Sequence, residues 1–498
     1  QIRNSAYITA DYNATATASL MDGLTSSTSV GAQYYRRRTD WNSISADEFP
    51  APGVRTAAAA ARVTGSQDYV TNSTLGTFAQ QQFGWRDRLF VTGAVRVDNN
   101  SAFGNDVEFV TYPKLSGTWV VSDEPFWSFG PVEQLRLRAA YGASGQQPNA
   151  FAALRTFEPA TGTGDLPIVV PQSVGNPELK PERGEELEVG FDLDMLGRLG
   201  FEFTYYTRKV KDAILERSIA PSSGFSGVQY VNIGEVANSG LELQLNLQAL
   251  SREDVRWDLA FSYATADDEI TDLGGIASIQ VGLPTQAHVE GYPIGGFWTK
   301  RITSAEVTEA GQAVNVLCDD GSGGVVACAD APRVYMGTPT PTYNGAFSST
   351  VTLWDRLQLH GMVDFKGGHQ LFNSNDFVRC ALLGVCEANV LPQEADPVYL
   401  ASAQIGGDFS AVSPFIENGT YAKLREISAT YTVPERFAGY IGASGASLTV
   451  AGRNLHTWTD YSGLDPESRA FLDNAVSSND QGVLPVMPQF VTSLRLTF

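Results

Sequence analysis

The chain has 498 residues, and its 34 Lys and Arg against 55 Asp and Glu give a formal net charge of −21 and an isoelectric point near 4.6. This charge argues against nucleic acid as a partner, because phosphates are bound through clustered Lys and Arg. The hydrophobic fraction of 43% excludes an intrinsically disordered chain. No run of 18 apolar residues occurs, so no transmembrane helix is expected. Membrane-spanning barrel strands would still fit the mean hydropathy of −0.13, because their apolar and polar residues alternate.

Strict alternation of apolar and polar residues recurs along the chain. In the clearest case, Leu241, Leu243, Leu245 and Leu247 share one face of a strand and the polar residues between them share the other. The pattern predicts fifteen strands, at 4–20, 24–38, 69–83, 88–98, 112–122, 133–142, 185–195, 199–207, 240–250, 255–264, 343–353, 357–365, 421–433, 447–453 and 488–498.

The connections between these strands alternate in length. Short ones are predicted at 21–23, 84–87, 123–132, 196–198, 251–254, 354–356 and 434–446, and long ones at 39–68, 99–111, 143–184, 208–239, 265–342, 366–420 and 454–487. Outer-membrane barrels have short periplasmic turns and long extracellular loops, and their strands need about 9–11 residues. The sequence therefore predicts an all-β, antiparallel transmembrane barrel, with a soluble β-sandwich as the alternative. The long loops are expected to be irregular.

An odd number of strands cannot close a single-chain bacterial barrel, and plugged outer-membrane transporters have about 22 strands. We therefore expect residues 1–498 to be the C-terminal portion of such a barrel, with about seven strands upstream. The first residues, Gln1-Ile2-Arg3-Asn4, also lack the basic and apolar regions of a secretory leader. A removed leader or a longer parent chain would each account for that.

Several segments resemble TonB-dependent receptors. Residues 176–182 (NPELKPE), followed by 186–191 (ELEVGF), resemble the general family signature. Residues 119–126 (WVVSDEPF) with 135–142 (LRLRAAYG), 415–427 (FIENGTYAKLREI) and 452–467 (GRNLHTWTDYSGLDPE) resemble the SusC/RagA-like subfamily more narrowly, and residues 88–98 also fit the family's strand and loop pattern.

The resemblance implies an importer of nutrients such as glycans or peptides in the outer membrane of a Gram-negative-type bacterium. It also implies a SusD-like surface lipoprotein as partner, and TonB acting through a plug domain that this sequence does not contain. A passive barrel or surface adhesin remains the alternative. No H-E-x-x-H, G-x-S-x-G or P-loop pattern occurs, so no enzyme, cofactor or metal site is predicted.

The four cysteines fall into two local pairs, Cys318 with Cys328 and Cys380 with Cys386. Loop disulfides in an oxidising compartment are expected, with free thiols or metal ligation as alternatives. The segment 319–323 (DDGSG) is expected to be a solvated turn, since it lacks the full calcium-loop pattern.

Aromatic residues in the long loops are expected to be exposed. We assign substrate contact to Tyr292, Trp298, Tyr335, Phe372 and Trp458, with loop packing or an interfacial girdle as the alternative for these and for Phe297, Phe377 and Tyr399. Charged residues on the polar strand face are expected to solvate the barrel interior or contact a plug, with substrate contact as the alternative; they are Arg136, Arg138, Glu186, Glu188, Arg425 and Glu426. The terminal aromatic Phe498 resembles an assembly signal for outer-membrane barrels.

Overall fold

The computed structural model describes residues 1–103, 109–164, 166–225, 227–470 and 478–498, and these are almost entirely β. The strands up to residue 251 are β1 (Ile2–Met21), β2 (Leu24–Asp47), β3 (Arg62–Trp85), β4 (Leu89–Asn100), β5 (Val110–Val120), β6 (Val132–Gln146), β7 (Thr156–Thr161), β8 (Pro167–Ser173), β9 (Glu182–Met195), β10 (Leu199–Lys211), β11 (Ile214–Ser218), β12 (Val228–Asn232) and β13 (Glu235–Ser251). The later strands are β14 (Val255–Thr265), β15 (Asp267–Asp272), β16 (Ile279–Gln280), β17 (Gln286–His288), β18 (Gly296–Thr299), β19 (Ile302–Val307), β20 (Ala313–Asp319), β21 (Val325–Ala327), β22 (Val334–Gly337), β23 (Tyr343–Leu353), β24 (Leu357–Gly367), β25 (Gln370–Phe372), β26 (Ile416–Asn418), β27 (Tyr421–Val433), β28 (Gly445–Thr459) and β29 (Gln489–Thr497).

Helical segments are short. They are α1 (Ser374–Phe377), α2 (Glu387–Val390), α3 (Pro397–Ile405) and α4 (Glu435–Ala438), a π-helical turn at Val378–Leu382, and 3-10 turns at Ala57–Ala59, Val121–Asp123, Pro221–Ser223, Gly406–Asp408, Ser413–Phe415 and Gly439–Ile441. Among the described residues, no helix has both the length and the apolarity needed to cross a membrane.

One large antiparallel sheet of sixteen strands contains the fifteen predicted strands, and their order in it follows the chain: β1-β2-β3-β4-β5-β6-β9-β10-β13-β14-β23-β24-β27-β28-β29. The sixteenth strand, β15, pairs with β13 beside this path. The prediction of the sheet is therefore confirmed. Two strands are much longer than predicted, because β2 and β3 pair as far as Asp47 opposite Arg62. Alternation of polarity fades along that outer part of the hairpin, so backbone pairing alone marks it as strand.

Short and long connections alternate as predicted along most of the sheet. The exception is the predicted long connection between β4 and β5, at 101–109, which is shorter than the predicted short connections at 121–131 and 434–444. Between sheet strands, the chain turns at 22–23, 86–88, 196–198, 252–254 and 354–356, whereas 266–342 and 368–420 are long insertions. In the turn after β3, Arg86 and Asp87 both have positive φ, and Trp354 and Asp355 do so after β23. Two consecutive positive φ angles match the twist of the paired strands. The segments 104–108, 165, 226 and 471–477 of the predicted loops lie outside the described residues.

The described chain forms two compact units. The first comprises Gln1–Val120, Arg138–Glu188 and Arg208–Glu235, and the second comprises Val121–Leu137, Val189–Thr207 and Val236–Phe498. In the second unit, strand register sorts the two sheet faces. An apolar row crosses β13, β14, β23 and β24 through Leu245, Phe261, Phe347 and Val363. A row of opposite parity is polar, through Gln248, Asp258, Thr350 and His360.

The long insertions of the second unit are folded rather than irregular, which corrects the sequence-based expectation. Their shared core contains Phe297, Phe372, Phe377, Leu400 and Phe415, all essentially inaccessible to solvent. Helix α3 packs into this core, and its N-cap Asp396 accepts a hydrogen bond from the Tyr399 amide at 2.9 Å. The core was missed because its residues come from segments about a hundred positions apart, and each segment alone is short.

In the first unit, residues 176–182 contact neighbouring loops through a buried side chain and hydrogen bonds. Leu179 is fully buried beside Ala152, Ala153 and Tyr230. The Asn176 amide donates to the Tyr230 carbonyl at 3.0 Å. The Lys180 amide donates to the Asn232 side chain at 2.7 Å. This part of the family signature therefore has a structural role in joining the loop before β9 to strand β12.

Candidate functional site

Three of the five aromatic residues assigned to substrate contact form one cluster. The ring centroids of Tyr292 and Trp298 lie 4.8 Å apart, those of Tyr292 and Tyr335 lie 4.9 Å apart, and those of Trp298 and Tyr335 lie 5.5 Å apart. The rings are tilted or edge-on to one another, which is the arrangement that aromatic quadrupoles favour. We call Tyr292, Trp298 and Tyr335 the loop aromatic cluster.

Local strand pairing positions this cluster. Trp298 of β18 lies directly opposite Tyr335 of β22. Because strand side chains alternate, the preceding Phe297 points inward and is fully buried. A Cβ atom at Gly296 would lie only 2.8 Å from the Tyr335 ring, so glycine permits that ring to pack closely. The Arg301 guanidinium donates to the Tyr335 carbonyl at 2.9 Å, which further fixes β22.

Burial shifts the pKa of Tyr335 in the loop aromatic cluster and of Asp268 and His288 beside it. Burial raises the pKa of Tyr335 to about 12, with a contribution from the nearby Asp268 carboxylate. Burial also raises the pKa of Asp268, although its carboxylate accepts a hydrogen bond from the Ile294 amide at 2.6 Å. Nδ1 of His288 accepts from the Gly295 amide at 3.0 Å, and burial lowers its pKa. The site therefore offers neutral aromatic hydroxyl and ring surfaces at neutral pH.

Three loop aromatics that were expected to be exposed are buried, namely Phe297, Phe372 and Phe377. Phe372 and Phe377 lie within the insertion core, with ring centroids 5.4 Å apart and at most 1% exposure. A ligand cannot reach them in this conformation, so the assignment of Phe372 to substrate contact is wrong. Trp458 is exposed on β28 and packs edge-on against His456 at 4.7 Å, apart from the three clustered rings.

The cysteines are joined within the same insertions. The structure links Cys318 to Cys328 and Cys380 to Cys386, with Cα atoms 4.8 and 4.9 Å apart. The first link ties β20 to the segment after β21, and the Lys300 ammonium donates to the Cys328 carbonyl at 2.7 Å.

The 319–323 segment is a hydrogen-bonded turn. One Asp320 oxygen accepts from the amides of Ser322 and Gly324 at 2.7 and 2.9 Å, and these bonds lower the pKa of Asp320. Within the described ranges, no group of three or more His, Cys, Asp or Glu side chains is arranged to hold a metal ion.

Charged residues of the polar strand face line a cavity of about 940 Å³ in the second unit, near the short turns. Its walls include Asp123, Glu133, Asp194 and Glu202, and Arg136 bonds Asp192 there at 2.7 Å. Acidic side chains outnumber basic ones in this lining, and of the six charged residues assigned to the polar strand face it contains Arg136. Arg138, Glu186 and Glu188 belong to the first unit.

Sequence reasoning missed a buried ion network that joins two subfamily segments. The Lys423 ammonium lies 2.7 Å from Asp465 and 2.8 Å from Glu467, and its side chain is only 3% exposed. A register shift between Leu424 and Glu426 frees Arg425 from the ladder. Arg425 then bonds Asp364 at 2.7 Å and Glu467 at 2.6 Å. The sequence offered one signal for this network: two basic residues, at 423 and 425, lie in one subfamily segment, and two acidic residues, at 465 and 467, lie in another.

Two further residues named from the sequence are Glu426, in the middle of β27, and Phe498, after the last strand. Glu426 bonds Arg453 at 2.9 Å. Phe498 follows β29 and is 81% exposed.

A sequence model of the family described as "TonB dependent receptor-like, beta-barrel" matches residues 2–373. TonB-dependent receptor P26 of Formosa agariphila is 25% identical over 458 residues, which cover 84% of this chain and 45% of the relative. TonB-dependent receptor SusC of Bacteroides thetaiotaomicron is 24% identical over 438 residues, which cover 81% and 42%. The chain thus spans about half the length of the curated relatives it matches.

The fold is also similar to a solved structure. A chain of the RagAB peptide importer in its closed-closed state aligns with a TM-score of 0.83 at 20% sequence identity, over 100% of this chain and 56% of that one. At this identity the likeness concerns the fold, and it matches the fifteen-strand sheet with its folded insertions.

Proteins of this kind reside in the outer membrane of Gram-negative bacteria and are transporters rather than enzymes. The family match extends over about three quarters of the chain, from residue 2 to residue 373. The chain therefore belongs to the TonB-dependent receptor β-barrel family.

Proposed function

We propose that this chain belongs to an importer that carries a nutrient such as a glycan or peptide across the outer membrane. TonB would supply the energy through a plug domain, and a SusD-like surface lipoprotein would deliver the substrate. The observation that carries this proposal is the large antiparallel sheet, with short turns between many of its strands and two long folded insertions, together with its family match. A passive pore would not need insertions that build their own buried core.

We further propose that residues 1–498 form the C-terminal portion of the barrel, with the plug and about seven strands supplied by upstream sequence. In the described part of the chain, β1 pairs with β2 and β29 pairs with β28, so each has one neighbour in the sheet. Nearly all residues of these two strands are exposed. Unpaired strand edges are costly in lipid, which supports further strands as their partners.

Substrate contact is proposed for the loop aromatic cluster, and separately for Trp458. Flat aromatic faces suit sugar rings and apolar peptide side chains. The cluster rests on the buried Phe297 and is held by Arg301, so little side-chain freedom would be lost on binding.

Uptake of labelled oligosaccharides and oligopeptides by cells expressing the full-length protein tests the function. We expect uptake that stops when TonB is depleted, and that falls about three- to tenfold in Trp298→Ala at equal surface amount. Trp354→Ala is the matched control, because it removes the same ring from an exposed short turn. Uptake that continues without TonB would instead establish a passive barrel, and binding to host surfaces without any uptake would establish an adhesin.

A further inference from the structure

One face of strands β1–β3 in the first unit combines guanidinium groups with aromatic rings. On this face Arg37 of β2 lies opposite Tyr7 of β1, and its guanidinium carbon sits 5.8 Å from the centre of that ring. Tyr35, two residues before Arg37 on β2, packs against Tyr7 with ring centroids 6.2 Å apart. Four residues from Arg37, Trp41 lies 5.4 Å below the Arg3 guanidinium.

A groove of about 490 Å³ opens over this face. Its floor includes Tyr35, Arg37 and Trp41 of β2 and Asn72 of β3, and residues 146–150, which follow β6, form its wall. The wall contributes the amides of Gln146, Gln147 and Asn149. The volume falls within the range of about 300–1,000 Å³ that is usual for small-molecule sites.

Charge in the groove is positive although the chain as a whole is strongly acidic. On the neighbouring part of the same face, Arg96 is neutralised by Asp98 at 2.8 Å, and Asp11 accepts a hydrogen bond from Gln33 at 2.8 Å. Arg37 differs from these residues. Its Nε donates to the Thr39 hydroxyl at 3.3 Å, and across the described ranges no carboxylate lies within ion-pair distance of its guanidinium. The two terminal nitrogens therefore remain available to bind an anion.

We propose that this groove is a binding subsite for an acidic sugar residue of the imported substrate, such as a uronate. Arg37 would bind the carboxylate through its two terminal nitrogens, because guanidinium and carboxylate groups match in a two-bond geometry. Tyr35 and Trp41 would contact the apolar face of the ring. The amide oxygens of Asn72 and Gln147 both accept hydrogen bonds from Asn100, so these two side chains would bind the sugar hydroxyl groups through their remaining N–H groups.

The surroundings favour a sugar over an acidic peptide. Peptides in extended form are commonly bound by adding a strand to a sheet edge. Strand β2 is paired along both edges, with β1 and with β3, so it offers no backbone groups to a peptide. On the floor of the groove recognition therefore comes from side chains, and amide side chains beside aromatic faces suit hydroxyl-rich rings.

This inference rests on the proposed import function for its biological meaning, but its test measures binding alone. The full-length protein in detergent is titrated by calorimetry at low salt with trigalacturonate, with its carboxyl-reduced neutral counterpart, and with triglutamate. Trigalacturonate should bind at least tenfold more tightly than either of the others. If the protein binds trigalacturonate in preference to the other two ligands but cells show no TonB-dependent uptake, the proposed import function is refuted and the proposed subsite is not.

Single substitutions test which residues of the groove bind the sugar. Arg37→Gln should weaken trigalacturonate binding about tenfold or more and leave the neutral counterpart unchanged. Trp41→Ala should weaken both sugars about three- to tenfold. Arg36→Gln is the matched control, since it removes the same charge from the adjacent residue on the other face of β2 and should change nothing. Equal effects of Arg36→Gln and Arg37→Gln, equal binding of the neutral sugar, or tighter binding of triglutamate would overturn the proposal.

Discussion

The buried ammonium of Lys423 should hold the last long loop onto the sheet. Lys423→Met retains the length of the side chain and removes its charge, and it leaves the Asp465 carboxylate, whose residue is only 5% exposed, without its cation. From the described residues, that carboxylate would then keep the hydrogen bonds from the amides of Glu467 at 3.0 Å and Val486 at 3.1 Å. Breaking a buried ion pair from one side costs about 3–5 kcal/mol. Each 1.4 kcal/mol is about tenfold, so the loop should open at least a hundredfold more often.

Hydrogen exchange at the amides of residues 460–470 in the full-length protein measures this opening. Arg453→Gln is the matched control, because its ion pair with Glu426 is exposed and should contribute about 1 kcal/mol or less. Adding Asp465→Asn to Lys423→Met should restore much of the protection, since no buried charge is then unpaired. Equal exchange rates in Lys423→Met and Arg453→Gln would refute the reasoning.

The same network makes the loop sensitive to acid. Burial alone would raise the pKa of Glu467, but hydrogen bonds from Arg425 and Lys423 outweigh it and lower the pKa to about 2. A carboxyl group with a depressed pKa stabilises the folded state above its unfolded value of about 4.3, and that stabilisation is lost as the pH falls towards 2. Loop protection should therefore decline over this interval in the wild type. Glu467→Gln should show lower protection at neutral pH and little further loss; a wild-type profile that stays flat down to pH 2 would contradict this.

Three further outcomes follow from the sheet, the cysteines and the last residue. Leu243→Arg, on the apolar face opposite Tyr263, should cost about 2–4 kcal/mol near the bilayer midplane, whereas Gln244→Arg on the polar face should cost much less; equal assembly of both variants in outer membranes would show the faces to be misassigned. Peptide mapping without reduction should find both cysteine pairs linked, each worth about 2–3 kcal/mol at most because it closes a short loop, and full alkylation of unreduced protein would exclude them. Deleting Phe498 from the full-length protein should reduce the amount assembled more than the transport per assembled molecule, and the reverse pattern would remove its role as an assembly signal.

The sheet could be predicted from the sequence because strand polarity is a local property. Each side chain in Leu241–Leu247 is assigned to a face by its own position and that of its neighbours, so the alternation survives without knowledge of partners. The lengths of the connections can also be read from the sequence, and the alternation of short and long ones distinguishes one end of the sheet from the other. The segments that resemble TonB-dependent receptors predicted the family, and the match of the family model confirms it. The loop aromatic cluster was foreseen residue by residue, although not as a cluster.

Tertiary structure alone decided what the loops do. Phe372 and Phe377 were indistinguishable in sequence from exposed aromatics, and they are buried because segments from both long insertions converge on them. Lys423 meets Glu467 across 44 positions of sequence. Arg37 faces the wall at 146–150 over a still longer separation. Local periodicity fixes which way a side chain points, but burial and charge pairing depend on which distant segment arrives opposite it, and only the folded chain determines that.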